Sequence, residues 1–209
     1  MVAGGAASGL AQSGVPVIGE GRNDALRAEE RCKAEVPDFR MSDASGVIIR
    51  PAEPADAPVL ARLRYDFRAG EDPATEAEPD FLARCTSWMA VRLASGSYWH
   101  CWVAEAADRL VGTIWLQLIE KLPNPVGEAE RHGYISSLYV EPSRRGAGLG
   151  SRLLDACVRA CITASVDVVI LWPTPRSRRL YERHGFAVYG DLLQRRVGPG
   201  IAHRRDDAP

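Results

Sequence analysis

Gly146, Gly148 and Gly150 alternate with Ala147 and Leu149 in a short loop that joins an apolar strand pattern at 134–140 to a helical pattern at 149–162. Within the second pattern Leu149, Leu153, Leu154, Cys157, Val158, Cys161 and Ile162 fall on one stripe, which predicts an amphipathic helix. The apolar run 168–172 follows. Strand, tight turn, helix and strand in that order predict a βαβ unit, whose two strands run parallel.

The loop itself, Arg144-Arg145-Gly146-Ala147-Gly148-Leu149-Gly150-Ser151, lacks the side chains that would keep an anion from the backbone. The N–H groups at a helix start carry roughly half a positive charge and can cradle phosphate oxygens. Arg144, Arg145 and Arg152 would add charged donors. Tight strand-to-helix turns also need glycine for steric reasons, so the loop alone leaves both readings open. A P-loop would end in Gly-Lys-Ser/Thr, and none is present; a Rossmann turn would read Gly-x-Gly-x-x-Gly, whereas the spacing here is Gly-x-Gly-x-Gly.

Upstream, residues 47–50 read as a strand, and Asp56 with Pro58 opens a helix carrying Val59, Leu60, Leu63 and Phe67. An acidic run, 71–80, precedes a second helix on which Phe81, Leu82, Cys85, Trp88, Met89 and Leu93 share a face, with Arg92 the polar exception. Residues 100–105 and 110–119 are two strands around Ala107-Asp108-Arg109, a hairpin. Downstream, a short helix around Arg178, Leu180 and Tyr181 ends near His184-Gly185, and residues 186–188 and 192–197 are expected to complete the sheet.

Composition bounds the partners. A net charge of −1 and a pI near 6.4 carry no basic stripe for nucleic acid or an anionic membrane. Five cysteines without a CxxC pair predict neither a disulfide framework nor a zinc site, and Cys157 and Cys161, four apart on a helix, read as core thiols. No metal is expected. A reducing cytoplasm fits this cysteine pattern; the sequence also reads without a run of 18 apolar residues and without a basic and apolar secretory pattern. Residues 1–45 have too few large apolar groups to offset ordering entropy, so disorder is expected there, a domain over 46–197, and a frayed tail from 198 to 209. Met41 directly before the first strand suggests translation starting there.

The stretch from Val140 to Leu154, Val-Glu-Pro-Ser-Arg-Arg-Gly-Ala-Gly-Leu-Gly-Ser-Arg-Leu-Leu, resembles the acetyl-CoA motif of the GNAT superfamily of N-acyltransferases, Gln/Arg-x-x-Gly-x-Gly/Ala. Leu180-Tyr181-Glu182-Arg183-His184-Gly185-Phe186 is similar to the family's Tyr-x-x-x-Gly-Phe signature. The resemblance covers about residues 46–197 and agrees with the element order. It implies an α/β fold with a mixed, mostly antiparallel sheet of six to seven strands, helices on both faces, and a parallel central pair that splays apart.

The resemblance also implies site residues. Amides of Arg145, Gly146, Ala147, Gly148, Leu149, Gly150 and Ser151 would hold the CoA pyrophosphate, and Leu138, Tyr139 and Val140 would present backbone groups to the pantetheine. An N–H near Leu138 would polarise the thioester carbonyl in the gap, a contribution of about 3 kcal/mol. Tyr181 would be the general acid that protonates the leaving thiolate. Thr174 is placed with the cofactor residues, although many members carry Asn there; Ser177 likewise stands where they carry Ala. Where some members have a glutamate base on the strand, this chain has Ser136 and Ser137.

A base or water chain is needed for an alkylamine, because its neutral form at pH 7 costs about 4–5 kcal/mol. Glu105, Glu120 and His132 lie near strand ends and are the candidates. The acidic run would attract a cationic amine if it borders the acceptor, and Trp88, Trp99, Trp102, Trp115 and Trp172 would wall the pocket. The acceptor is then a small amine, or a protein N-terminus or lysine. A homodimer is compatible with exposed strand edges. The competing readings are a non-catalytic acyl-CoA-binding module and, more remotely, a dinucleotide-dependent oxidoreductase.

Overall fold

The computed structural model describes residues 40–42, 46–70, 73–96, 98–127, 129–190, 192–193 and 195. The expectations for 1–39 and 198–209 lie outside these residues. The chain divides into two units, Met1–Leu171 and Trp172–Pro209.

The first unit is built on a six-stranded sheet in the order β1-β2-β3-β4-β5-β6, comprising β1 (Met41–Ser42), β2 (Ile48–Pro51), β3 (Trp99–Ala106), β4 (Arg109–Glu120), β5 (Arg131–Val140) and β6 (Val168–Ile170). All neighbours are antiparallel except β5 and β6, which pair in parallel from His132–Val168 to Tyr134–Ile170. The parallel pair is the one that the βαβ pattern predicts, and the mixed, mostly antiparallel sheet is the fold that the family resemblance implies. Ala107 and Asp108, both at positive φ, make the tight turn of the β3–β4 hairpin. β1 is an addition: Met41–Ser42 pairs with Ile48–Ile49, and Arg152 ties it down by donating to the carbonyls of Met41 (3.1 Å) and Val47 (2.9 Å).

Helices α1 (Ala57–Ala69) and α2 (Glu78–Ser95) cover one face of the sheet and α3 (Leu149–Thr163) the other. Pro58 stands in the first turn of α1, and Glu53 and Asp56 form a capping box in the 3-10 turn before it. Gly96 at φ +61° ends α2 as a left-handed cap. Leu60, Leu63, Cys85 and Met89 pack on Cys101, Val103, Trp115 and Tyr139. On the opposite face Leu153 and Cys161 reach Gly112 and Gly133: a Cβ at Gly112 would lie 3.2 Å from Leu153 Cδ1, and one at Gly133 3.4 Å from Cys161 Sγ. Cys157 and Cys161 are buried, as their helical spacing predicts. Arg50, held by Asp56 and Glu105, joins β2, β3 and the turn before α1.

In the second unit α4 (Arg178–Arg183) ends at Gly185, whose φ of +82° turns the chain so that the Phe186 amide returns to the Tyr181 carbonyl at 3.1 Å. Residues 186–188 form no strand, a correction to the expected sheet. Alternating apolar residues favour an extended backbone, but a strand also needs a ladder partner. Leu192 and Leu193 are likewise not in a strand, and the remainder of 192–197 lies largely outside the described residues. Among the described residues no helix is long and apolar enough to cross a membrane.

Candidate functional site

The loop before α3 has the backbone that its glycines predict. Gly146 sits at φ +85° and Gly148 at φ +76°, conformations that a side chain disfavours, and a Cβ at either would meet nothing within 4 Å. The space above them is open. Gly148 is the N-cap of α3 and has no side chain to cap it, and the amides of Gly146 to Ser151 donate to no backbone carbonyl among the described residues; the Arg152 amide is the first to do so, to Gly148 O. Unsatisfied N–H groups at the positive end of a 15-residue helix, facing open space, fit a pyrophosphate.

The arginines divide their duties. Arg145 turns back on β5, donating from Nε to Val140 O at 2.8 Å with its guanidinium 5.7 Å from the Tyr139 ring centre. Arg144 is exposed. Arg152, read from sequence as a third phosphate donor, donates to the Met41 and Val47 carbonyls described above.

β5 contains the second feature. Thr113 on β4 pairs with Tyr139 and Trp115 with Ser136, so Ile114 stands opposite both Ser137 and Leu138. This is a β-bulge in β5. Ser137 takes φ +53°, a left-handed conformation uncommon for a residue with a side chain. The extra residue switches the faces. Before it, Gly133 lies against α3; after it, Tyr139 turns to the α1 side, its ring 5.5 Å from Phe67, while Val140 takes the α3 side beside Gly112. Burial raises the Tyr139 phenol above its ordinary pKa.

The parallel ladder to β6 ends at Tyr134, short of the bulge, so β5 runs on from Ile135 to Val140 without β6 beside it. The ladder therefore stops short of Leu138, Tyr139 and Val140, and β6 itself ends at Ile170, two residues earlier than the sequence pattern.

On the α1–α2 side of the bulge a cleft of about 280 Å³ opens. Trp88, Trp99 and Trp115 form one wall, their ring centres 5.0 to 6.3 Å apart. Ser136 and Ser137 form its floor at the bulge, and Arg64 donates to Ser137 Oγ at 2.8 Å. Three of the five tryptophans singled out in the sequence thus meet; Trp102 is buried elsewhere on β3 and Trp172 belongs to the second unit. Arg64 was missed by sequence reasoning. Its signal was its place among Leu60, Leu63 and Phe67, a charged residue within an apolar stripe.

The candidate bases lie elsewhere. Glu105 is tied to Arg50. His132 and Glu120 sit at the β6-paired start of β5 and the end of β4, where Lys121 and His132 approach Asp167 at 2.7 and 3.2 Å. Lys121 holds the Asp167 carboxyl below its ordinary range. In the acidic run Glu76 binds Arg84, which lowers its pKa, and Glu78 binds Arg62; Glu71 and Asp72 lie outside the described residues.

Within the second unit, Tyr181 is buried with its ring 5.7 Å from Phe186 at 70°. Thr174 and Ser177 bind each other: the Thr174 amide donates to Ser177 Oγ at 2.9 Å and the hydroxyls meet at 3.0 Å. The Thr174 side chain thus organises the turn that opens α4.

Comparison with known proteins agrees with this geometry. The family model described as the acetyltransferase (GNAT) family matches residues 63–186. Mycothiol acetyltransferase of Kineococcus radiotolerans is 30% identical over 177 residues, covering 81% of this chain and 52% of that protein. The chain thus spans about half the length of that curated relative. A GCN5-related N-acetyltransferase from Ralstonia eutropha is 26% identical, with a TM-score of 0.59 over 73% of this chain and all of that one. A predicted acetyltransferase from Clostridium acetobutylicum, solved with acetyl-CoA, shares the fold at 23% identity and a TM-score of 0.60, over 72% of this chain and 96% of that one. With the bare helix cradle, the parallel β5–β6 pair and a family match over more than half of its 209 residues, the chain belongs to the GNAT family of acetyltransferases.

Proposed function

We propose that the protein transfers an acetyl group from acetyl-CoA to a primary amine by direct attack in a ternary complex. The observation that carries this reading is the union, on β5 and α3, of the open amide cradle at Gly146–Ser151 with the bulge that β5 carries beyond the end of its ladder with β6. The cradle would hold the pyrophosphate through the amides of Gly146 to Ser151; the Arg145 amide, expected to join them, is turned to the Pro142 carbonyl at 3.4 Å. The stretch of β5 beyond the β6 ladder, at Leu138, Tyr139 and Val140, would pair with the pantetheine. The bulge turns the backbone there, and an N–H near Leu138 would stabilise charge on the thioester oxygen.

In the reaction the amine nitrogen forms a bond to the acetyl carbon, the carbon–sulfur bond breaks, and CoA leaves as a thiolate that takes a proton. Tyr181 is the proton donor in this reading, supported by its place in the Tyr-x-x-x-Gly-Phe signature. The amine reaches the site neutral and loses its remaining proton to water, since no carboxylate lines the cleft among the described residues. Cys157, buried and shifted toward the neutral thiol by that burial, is no nucleophile for a covalent route. The transferase domain spans about residues 46–197, and reduced core thiols suit a cytoplasmic enzyme.

Free-thiol release from acetyl-CoA across a panel of chemically diverse amines, alongside calorimetric titration with CoA, tests the proposal. Amine-dependent thiol release is expected. CoA binding without release by any amine would leave only an acyl-CoA-binding module.

A further inference from the structure

The cleft beside the bulge is too large and too apolar for an acetyl group alone. Phe81, Cys85, Trp88 and Met89 of α2 line it together with Trp99 of β3 and Trp115 of β4. Its volume of about 280 Å³ is several times what one methyl group fills. Burial holds the Cys85 thiol in its neutral form, and the unbranched Met89 side chain adapts to the outline of a neighbouring chain.

The charged groups of the lining are engaged with the protein itself. Arg84 pairs at the rim with Glu76, so the two together carry no net charge, and Arg64 donates to Ser137 Oγ at 2.8 Å. No carboxylate lines the cleft among the described residues, and an ammonium entering it would leave water without a counter-charge there. An apolar chain meets no such cost and gains contact with aromatic and thioether walls. The three tryptophans expected from the sequence around an amine thus suit a hydrocarbon better.

The position of the cleft indicates which hydrocarbon. Its floor is Ser136 and Ser137, and the next residue on β5 is Leu138, the neighbourhood proposed for the N–H on the thioester oxygen. A thioester carbon at that N–H stands at the edge of the floor, with the cleft open beside it.

We infer that the cleft is an acyl-tail site, and that the donor it fits is a CoA thioester with an apolar chain longer than acetyl, its methylenes along the tryptophan wall. This rests on the acyl-transfer reading. The nitrogen of a neutral amine bonds to the acyl carbon and the carbon–sulfur bond breaks. One proton leaves the nitrogen and one joins the thiolate, so the products are the amide and CoA thiol.

Calorimetry on the full-length protein with CoA, acetyl-CoA and hexanoyl-CoA tests the assignment, with tryptophan emission followed in parallel. The four added methylenes should tighten hexanoyl-CoA about tenfold or more over acetyl-CoA, and hexanoyl-CoA should shift the emission beyond the change given by CoA. Ser136→Phe, which fills the floor, should bring hexanoyl-CoA back to the affinity of acetyl-CoA with CoA binding intact. Ser136→Ala, which leaves the floor open, should keep the lead. Thiol release with phenethylamine, spermidine and L-lysine as acceptors should show hexanoyl-CoA ahead of acetyl-CoA in kcat/KM. Equal affinity of the two thioesters, or a lead that survives Ser136→Phe, would overturn the tail site and leave acetyl transfer standing. A higher kcat/KM with acetyl-CoA would overturn the choice of donor. Tight hexanoyl-CoA binding without thiol release by any amine would overturn transfer and leave the tail site. Phenethylamine shifting the emission of the CoA complex, where hexanoyl-CoA does not, would give the cleft to the acceptor instead.

Discussion

Arg64 of α1 hydrogen-bonds Ser137 of β5 at 2.8 Å across 73 positions of sequence, and so joins the wall of the cleft to the residue that bends the strand. Ser137 is held at φ +53°, where a β-branched side chain is strongly disfavoured. Ser137→Val should therefore destabilise the fold by about 1–3 kcal/mol in denaturant unfolding. It should also lower kcat/KM about tenfold or more as the bulge relaxes. Ser137→Gly, which accepts the same φ, should keep the stability. Equal behaviour of the two variants would show that the left-handed backbone is not what the site requires.

At the cradle, a methyl group placed on Gly148 touches no other protein atom within 4 Å, so the cost to folding is the backbone term alone, about 1 kcal/mol at φ +76°. The methyl would occupy the space in front of the helix amides. Gly148→Ala should raise the KM for acetyl-CoA about fivefold to tenfold with the acceptor KM unchanged. Initial-rate kinetics with each substrate varied separately will show whether the two constants part.

Tyr181→Phe keeps the ring that meets Phe186 at 5.7 Å and removes only the hydroxyl. If the phenol protonates the leaving thiolate, kcat should fall about a hundredfold and the alkaline limb of the pH profile should change shape. Turnover within a few fold of wild type and an unaltered profile would remove Tyr181 from the chemistry.

His100 supplies a prediction about stability. Its Nε2 is buried without a partner, and burial lowers its pKa from 6.5 by disfavouring the charged ring. The unfolded chain then binds the proton more readily than the folded one, so the contribution is fully present above about pH 6.5 and is lost as pH falls toward the folded-state pKa. Melting temperatures taken from pH 7.5 down to 5 should decline more steeply for wild type than for His100→Gln. Parallel slopes would place the acid sensitivity elsewhere.

Much of the site could be read along the chain because its causes are local. A left-handed φ at Gly146 and Gly148 calls for glycine, and a stripe at helical spacing calls for α3 behind it. Other parts eluded the sequence. Arg152 stands one residue after the loop motif and looks like a phosphate donor, yet its partners are the Met41 and Val47 carbonyls, more than a hundred residues away. Residues 186–188 have a strand's composition without a strand's ladder.

What the sequence by itself determined is the order of elements from β2 to α4, the bare amide cradle before α3 and the turn at Gly185 after Tyr181, since each follows from residue pattern and backbone sterics within short stretches. Only the tertiary structure decided the cleft beside the bulge. Whether Ser137 bulges depends on β5 carrying one residue more than β4 between two fixed pairings, and no local signal marks a register. That extra residue turns Tyr139 toward α1, and the same fold brings Arg64, Trp88, Trp99 and Trp115 around one cleft, residues from α1, α2, β3 and β4 that meet only when the sheet is assembled.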